Sequence, residues 1–327
     1  MKRKHVLRIA ILLCLCGLLL LAGAYGYLYL SPSPTPVADA VPANRDQLAR
    51  QIPNAVLLWS RDGWVTASGL SPWKPVRITR GENPRWSPDG RRFVFTRGHD
   101  VYLMSRHLGK SRRILGPVVT EYATGAYWTP DGRAVVAISR RNPRQVILLT
   151  LDSGERSIIH DEGQPPFKGY RLSQGADLRF DRRYLLTFTA DAGHRSMIID
   201  LVARSYITNE LMRRGDCGPS WSPDGRFIVV TRRNRLSPTR PIYAARFDPQ
   251  QRVLSPSRYL IGRGRCHRPR VSSDSRWVLY VLSGNIYCWP VKQKVEKPRN
   301  GIQLTFDGKS TDPALYVFRN RNPEAFR

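Results

Sequence analysis

The chain has 327 residues, of which 41% are hydrophobic and 10% aromatic, so it has enough apolar material for a packed core and is not a wholly disordered protein. Its 53 Lys and Arg residues, 44 of them Arg, outnumber its 25 Asp and Glu residues and give a formal net charge of +28. This excess favours an anionic partner. An Arg-rich proteome would give the same composition without any ligand, so both explanations stay open.

The N-terminus has the features of a membrane anchor. Residues 1–8 form a basic tail, and the uncharged apolar run 9–30 that follows is 22 residues long, which is enough to cross a bilayer as one helix. The basic tail predicts a cytoplasmic N-terminus, with the remainder of the chain on the other side of the membrane. A cleaved signal peptide is the alternative, because Ala22-Gly23-Ala24 offers a cleavage site, but the apolar run continues beyond it.

The segment 31–54 is rich in Pro, Ala and polar residues and is predicted to be a semi-extended linker. From Ala55 onward, short apolar runs alternate with Gly, Pro or Asp turns, and there is almost no helical periodicity. This pattern predicts an all-β domain over 55–319, followed by a C-terminal tail at 320–327.

A short motif of the form Trp-Ser-Pro-Asp-Gly-Arg recurs along this domain. It stands at 86–91 and 221–226 and, with Thr in place of Ser, at 128–133. Degraded copies contain Asp181 and Asp274. The Asp residues of the five copies, at positions 89, 131, 181, 224 and 274, are 42, 50, 43 and 50 residues apart. That period is typical of one four-stranded propeller blade per copy.

Each residue type in the motif has a structural role. Pro fixes φ at the first corner of a tight turn, Asp bonds to nearby backbone amides, and Gly takes the positive φ that closes the turn. Trp supplies a large apolar surface that packs between blades. These roles make a catalytic or calcium-binding function of the Asp residues, or a sugar-binding function of the Trp residues, unnecessary. The structural repeat residues are Trp86, Asp89, Gly90, Trp128, Asp131, Gly132, Trp221, Asp224 and Gly225.

Five copies leave both ends of the domain without a complete blade, and the two ends complement each other. The segment 312–318 resembles an inner strand without partners, whereas 56–60, 64–67 and 76–79 resemble outer strands without an inner one. Joining them forms a sixth blade and closes the ring without a free sheet edge. The predicted fold is therefore all-β, a six-bladed β-propeller preceded by one N-terminal transmembrane helix.

The repeats resemble those of the TolB-type, WD-repeat-like propeller family. A strand follows each copy directly, and an Ile-Thr or Leu-Thr pair precedes the next, as at Ile78-Thr79 and Leu304-Thr305. The resemblance covers about 55–318. It implies a propeller that acts as a scaffold, as a transport accessory or beside an enzyme domain, and it favours protein or peptide binding at the mouth of the channel.

The sequence contains no recognisable catalytic motif: there is no G-x-S-x-G, H-E-x-x-H or C-x-x-C. The six His residues are scattered singly, which disfavours a metal site, and no cofactor is expected. Cys217 and Cys266 occupy similar positions in loops that enter adjacent blades. Outside the cytoplasm they could form a disulfide, but two separated free thiols fit the sequence at least as well.

Arginines concentrate in the loops predicted to share one face of the propeller, opposite the repeat turns. Guanidinium groups suit phosphate and carboxylate ligands, so a basic face around the channel mouth is predicted to bind an anionic partner. Solvated loop arginines are the alternative. The predicted binding residues are Arg97, Arg140, Arg141, Arg144, Arg195, Arg213, Arg214, Arg232, Arg233, Arg235, Arg240, Arg263, Arg265 and Arg268.

These features predict a non-enzymatic, membrane-tethered propeller outside the cytoplasm that binds a protein or an anionic polymer through its basic face. The alternative is a metal-dependent lyase or hydrolase that acts on an acidic polysaccharide, because repeats of this type occur in such enzymes. Nucleic acid is disfavoured as a partner, since no recognition motif is present and the predicted location does not suit it.

Overall fold

The fold is known from a computed structural model. It describes residues 42–318 except 108, 120–124, 141–143, 166–171, 180, 190–194, 208–215, 233–238, 256–257, 262–263 and 292–300. No helix in this part of the chain is long and apolar enough to cross a membrane. The predicted transmembrane segment 9–30 and the tail 320–327 lie outside the described residues.

Within the described residues, 25 strands form six antiparallel sheets, which are the blades of a propeller. Five blades follow one another along the chain. The first contains β4 (Glu82–Trp86), β5 (Arg92–Arg97), β6 (Asp100–Ser105) and β7 (Arg112–Leu115). The second contains β8 (Ala126–Trp128), β9 (Ala134–Ile138), β10 (Gln145–Thr150) and β11 (Arg156–Asp161). The third contains β12 (Leu172–Leu178), β13 (Tyr184–Thr189), β14 (Arg195–Asp200) and β15 (Ser205–Ile207). The fourth contains β16 (Asp216–Trp221), β17 (Phe227–Arg232), β18 (Ile242–Asp248), β19 (Val253–Leu254) and β20 (Arg258–Ile261). The fifth contains β21 (His267–Val271), β22 (Trp277–Leu282), β23 (Asn285–Pro290) and β24 (Ile302–Gln303).

The sixth blade combines the two ends of the domain. Its inner strand is β25 (Ser310–Val317), which pairs antiparallel with β1 (Ala55–Arg61), and β2 (Trp64–Gly69) and β3 (Val76–Arg80) complete the sheet. This arrangement confirms the predicted closure and the count of six blades.

The second strand of each blade is an apolar run that neighbouring blades cover on both sides. All residues of β9 and β22 are buried, as expected for short apolar runs without alternation. The repeat tryptophans lie in the same interfaces; the Trp86 ring, for example, packs against Phe93 of its own blade and Tyr316 of the sixth. Burial between blades therefore supplies the core.

The repeat turns have the predicted chemistry. In the first blade, the Ser87 hydroxyl donates to the Asp89 carboxylate at 2.5 Å, and the Arg91 N–H donates to the same oxygen at 3.0 Å. The equivalent hydroxyl-to-carboxylate bonds of the second and fourth blades are 2.6 Å long. Gly90 then takes a φ of 67°. The carboxylates of these turns thus stabilise the turn backbone.

One helix differs from the expected extended linker. The helix α1 (Pro42–Gln51) begins at a proline, which suits the first turn of a helix. Leu48 and Ala49 are buried in a cluster with core residues of the fifth and sixth blades, and the Arg45 guanidinium lies 5.0 Å from the Trp73 ring centre. The second half of the predicted linker is therefore part of the folded domain, because its apolar residues cover the junction of two blades.

Candidate binding site in the central channel

Bulges in the inner strands aim side chains at the propeller axis. The register of β4, β16 and β21 against their partners shifts within each strand, and an inserted residue of this kind re-aims the side chain beside it. A residue with positive φ stands within four of the described inner strands and directly before a fifth, β8. These residues are Asn83 (54°), Gly125 (71°), Gly218 (61°), Arg268 (53°) and Asp312 (52°).

The residue two positions after each of them, together with Asp177 of the third blade, lines a cavity of about 200 Å³ between the inner strands. These six channel residues are Arg85, Tyr127, Asp177, Ser220, Arg270 and Ala314. Each blade contributes one of them. The channel residues form a ring of basic, acidic, polar and apolar side chains, although the blades that carry them share the same strand arrangement.

Two buried arginines converge on one tyrosine in this ring. Arg85 and Arg270 are only 8% and 7% exposed, and their guanidinium carbons lie 5.4 Å and 5.5 Å from the centre of the Tyr127 ring. Nη2 of Arg270 donates to the Tyr127 hydroxyl at 3.2 Å, and Arg85 also hydrogen-bonds Tyr127. Burial, and then the charge of Arg270, lower the pKa of Arg85 to about 10. Arg85 is therefore a cation at neutral pH.

The backbone holds the two arginines in the same way. Nη1 of Arg85 donates to the carbonyl of Pro84 at 3.0 Å, and Nη1 of Arg270 donates to the carbonyl of Pro269 at 3.2 Å. The indole N–H of Trp128 donates to the Arg85 carbonyl at 3.0 Å and so connects the second blade to this position. The Pro-Arg pair after a residue of positive φ is a local device that recurs in the first and fifth blades.

Asp177 is the acidic member of the ring. Its Oδ2 accepts the Trp221 N–H at 2.8 Å and the Ser220 hydroxyl at 3.3 Å. Burial raises the pKa of Asp177 to about 6, although the Trp221 hydrogen bond and the charges of Arg270 and Arg85 act in the opposite direction. The carboxylate is therefore mostly ionised at pH 7 and titrates just below it.

A separate ion pair lies beside the ring. The Asp312 carboxylate, 2% exposed, is 2.8 Å from Nη1 of Arg268, and the two residues occupy equivalent bulge positions on adjacent blades. This pair is balanced by itself. The channel residues then contain two guanidinium groups, of Arg85 and Arg270, against the single carboxylate of Asp177. With Asp177 ionised, the ring has an excess of one positive charge.

The cavity reaches the face of the propeller that carries the repeat turns, here called the turn face. Pro88, Pro130 and Pro223 from three of these turns line it together with the channel residues. Trp86, Trp128 and Trp221 are also among its lining residues. A group that enters from the turn face would pass the prolines, follow apolar ring surfaces and end at the two arginines.

The other end of the ring, here called the loop face, carries hairpins such as β5–β6 and the connections between blades, and the described members of the predicted basic face belong to these parts. Arg240 and Arg265 form a β-bridge there, and burial, followed by the charges of Arg240, Arg268 and Arg265, lowers the pKa of His267 to about 4. Three of the predicted residues thus lie together, and one of them, Arg268, is paired with Asp312.

Other predicted residues are bound to groups of their own or a neighbouring blade. Arg97 donates to the Thr79 hydroxyl at 3.1 Å and lies over the Tyr102 ring, Arg144 donates to the Leu172 carbonyl, and the Arg232 guanidinium lies 4.3 Å from a tyrosine ring centre. Arg140 is exposed. The side chains of the remaining predicted residues lie outside the described part of the chain: Arg141, Arg195, Arg213, Arg214, Arg233, Arg235 and Arg263.

The cysteines have a structural place. Cys266 is a free thiol with no exposed surface. The side chain of Cys217, its predicted disulfide partner, is not among those described. Cys266 packs with Val278, Tyr280 and other buried residues of the blade interface. Burial raises its pKa to about 12, which makes it an unreactive core residue.

The sequence did not reveal the channel residues as a group. Their positions come directly before the Trp of the repeat, or before Leu178 and Val271 in the two degraded copies, but the residue there is Arg, Tyr, Asp, Ser or Arg in successive copies. The usable signal is the Pro-Arg pair, at Pro84-Arg85 and Pro269-Arg270, in the same register of two repeats. Reading the repeats in columns would have placed two arginines on one axis.

No protein-family model matches the chain. The uncharacterized peptidase YuxL of Bacillus subtilis (strain 168) is 26% identical over 171 residues, which are 50% of this chain but only 23% of that protein. A structure assigned to TolB of Agrobacterium tumefaciens is 15% identical, with a TM-score of 0.50 over 82% of this chain and 99% of that one. An oligogalacturonate lyase in complex with manganese is 16% identical, with a TM-score of 0.50 over 81% of this chain and 78% of that one. At such identities the likeness is one of fold, and in fold the chain is a six-bladed β-propeller of the TolB type.

Proposed function

We propose that this protein is a non-enzymatic binding propeller, tethered to a membrane by residues 9–30 and facing away from the cytoplasm, that holds a protein or an anionic polymer. The supporting observation is the positive charge along the channel axis. Arg85 and Arg270 lie inside the ring with one opposing carboxylate, and Arg240 and Arg265 lie at the loop-face end. A net positive charge along the channel attracts an anionic group of a partner, and this attraction is stronger where water is excluded.

The metal-dependent enzyme is less well supported. The lyase relative is in complex with manganese, so a similar reaction here would need a site for a divalent cation. Within the described residues, no three His, Cys, Asp or Glu side chains come together to hold a metal ion. The channel instead holds two guanidinium groups, which repel a divalent cation. The residues present do not fit that metal, and an anion fits them better.

The peptidase name of the Bacillus relative does not change this proposal. The match spans less than a quarter of that protein, and the activity that its name states belongs to the whole. The matched part is compatible with a propeller that binds and presents a partner.

The test is a pull-down from native membranes with the full chain solubilised in detergent, at low and at moderate salt. The variant Arg240→Ser with Arg265→Ser removes two positive charges from the loop face. Arg112→Ser with Arg156→Ser removes the same charge from exposed positions on the outer strands β7 and β11 and serves as the control. We expect a partner that both moderate salt and the loop-face variant release and that the control retains. The proposal is refuted if the unmodified chain captures no partner, or if the loop-face variant and the control variant release the partner equally.

A further inference from the structure

We infer that the channel cavity is a binding site for a single carboxylate group, which enters from the turn face and lies between Arg85 and Arg270. The inference rests on the proposed function, because the carboxylate belongs to the partner, as an acidic side chain or a chain terminus. The predicted basic face contributes no ligand contact to it, since the cavity opens at the opposite end of the ring.

The order of the blades gives the position of the site. The inner strands β21, β25 and β4 are consecutive in the ring, so Ala314 lies between Arg270 and Arg85. Alanine is the smallest of the channel residues. It leaves space beside two long cationic side chains, whose guanidinium groups both lie against the Tyr127 ring. We expect a ligand oxygen to bind where these two groups come together.

The charge of the ring selects the class of ligand. Two guanidinium groups against one carboxylate leave an excess of one positive charge, and a carboxylate brings one negative charge. A guanidinium fork matches the two oxygens of a carboxylate, and such charge-assisted bonds are about twice as strong as neutral ones. A phosphate dianion would leave the ring with an excess of negative charge in a buried place. The ring therefore matches a monoanion.

The walls select what carries the carboxylate. A cavity of about 200 Å³ holds a small group, and Trp128 and Trp221 line it together with the arginines. Apolar walls with a few convergent polar groups are typical of small ligand sites. A short hydrocarbon stem that ends in a carboxylate fits both parts, with its stem against the indoles and its oxygens on the arginines.

Asp177 limits the affinity of this site. Its carboxylate faces the charges of Arg85 and Arg270, the hydroxyl of Tyr127 is bound to the same two arginines, and Asp312 lies near Arg85 but is held by Arg268. Asp177 therefore competes with a ligand carboxylate for the same two cations. Replacing it by Asn removes one negative charge and keeps an oxygen for the Trp221 N–H.

The test uses phenylacetate as the probe and the solubilised full chain as the protein, with binding followed by calorimetry and by Trp fluorescence. Phenylacetamide is the neutral probe of the same shape, and phenylphosphonate represents the phosphate class. We expect phenylacetate to bind at least about tenfold more tightly than either. Equal binding of the amide would overturn the charge argument, and tighter binding of the phosphonate would overturn the carboxylate class.

Three variants locate the site. Arg270→Gln should weaken phenylacetate binding at least about tenfold, and Arg226→Gln, which removes an exposed charge on the turn face, should leave it unchanged. Asp177→Asn should tighten binding by about five- to tenfold, because a like charge is removed at short range. This gain keeps the test decisive even if Arg270→Gln does not fold. Unchanged binding by Asp177→Asn would refute the site.

The two proposals fail separately. If the membrane partner is captured, Arg270→Gln retains it and phenylacetate does not displace it, the carboxylate site is refuted and the binding function stands. If phenylacetate binds and both variants change its affinity as stated, but no partner is captured, the carboxylate site stands and the proposed function is refuted.

Discussion

Two glycines in similar hairpins should respond very differently to the same substitution. Asp62-Gly63 joins β1 to β2 with φ values of 50° and 74°, and Ser283-Gly284 joins β22 to β23 with 51° and 71°. Such two-residue turns with positive φ at both positions are typical of β-hairpins. Alanine at either glycine is strained in this conformation, at a cost of about 1 kcal/mol.

Of these two glycines, only Gly284 would also bring an added Cβ into a steric clash. A Cβ at Gly63 would meet no atom within 4 Å, whereas a Cβ at Gly284 would be 1.9 Å from the carbonyl oxygen of Gly308. That oxygen cannot move freely, because the Ser310 N–H donates to the Gly284 carbonyl at 2.7 Å and the Gly308 N–H donates to Asn285 at 2.9 Å. Forcing the two backbones apart adds about 2 kcal/mol or more.

We therefore expect Gly284→Ala to lower the free energy of unfolding by about 3 kcal/mol and Gly63→Ala by about 1 kcal/mol. The difference corresponds to a Tm that is about 4 to 8 °C lower for Gly284→Ala. Urea unfolding followed by Trp fluorescence measures both. If the two variants are destabilised equally, the contact with Gly308 has no energetic weight and the reasoning fails.

Three further measurements test the charges and the core. Phenylacetate affinity should rise as the pH falls from 7.5 to 5.5. The pKa of Asp177 is raised to about 6, so its carboxylate is largely neutralised at pH 5.5 while the probe stays ionised. Calorimetry at pH 7.5 and pH 5.5 measures this, and a constant or falling affinity would contradict it. Arg268→Gln removes the ion-pair partner of the buried Asp312 carboxylate and should lower the free energy of unfolding by about 3 kcal/mol. Lys309→Gln, at an exposed ion pair, should lower it by less than about 1 kcal/mol. Similar losses for the two variants in urea unfolding would count against the burial argument. Cys266 should resist iodoacetamide in the native protein and react after unfolding, because burial raises its pKa to about 12. Peptide mass spectrometry measures the labelling. Rapid labelling of the native protein would show that the interface between the blades is open.

The fold could be predicted because its information is local and repeated. The turn residues around Asp89 specify one conformation by themselves, and five copies at a regular spacing indicate the blade. The sixth blade followed from the need to close the ring. The helix at Pro42–Gln51 was missed because its few apolar residues, such as Leu48, give a weak periodic pattern, and only the surface that they cover explains them.

The candidate site could not be predicted in the same way. Arg85 and Arg270 are far apart in the sequence, and nothing in either repeat alone shows that both face one axis. A loop arginine such as Arg97 looks like a ligand-binding residue in the sequence, yet it is bound to the Thr79 hydroxyl and packed on a ring. Charge counts locate an excess of arginine, but only the geometry of the ring shows which arginines lie together on the axis.

The pairing of β25 with β1 also sets the order in which this protein can be completed. Val56 and Tyr316 are partners although they are 260 positions apart, so closing that loop costs about 5 kcal/mol of chain entropy before the last contacts form. β1 has an unpaired edge until Ser310–Val317 has been synthesised and has reached the same side of the membrane. Such an edge can pair with the strands of other chains. Loss of this one strand would therefore leave five complete blades and a sixth blade with an exposed strand edge. We expect a chain shortened at this point to aggregate rather than to keep partial function.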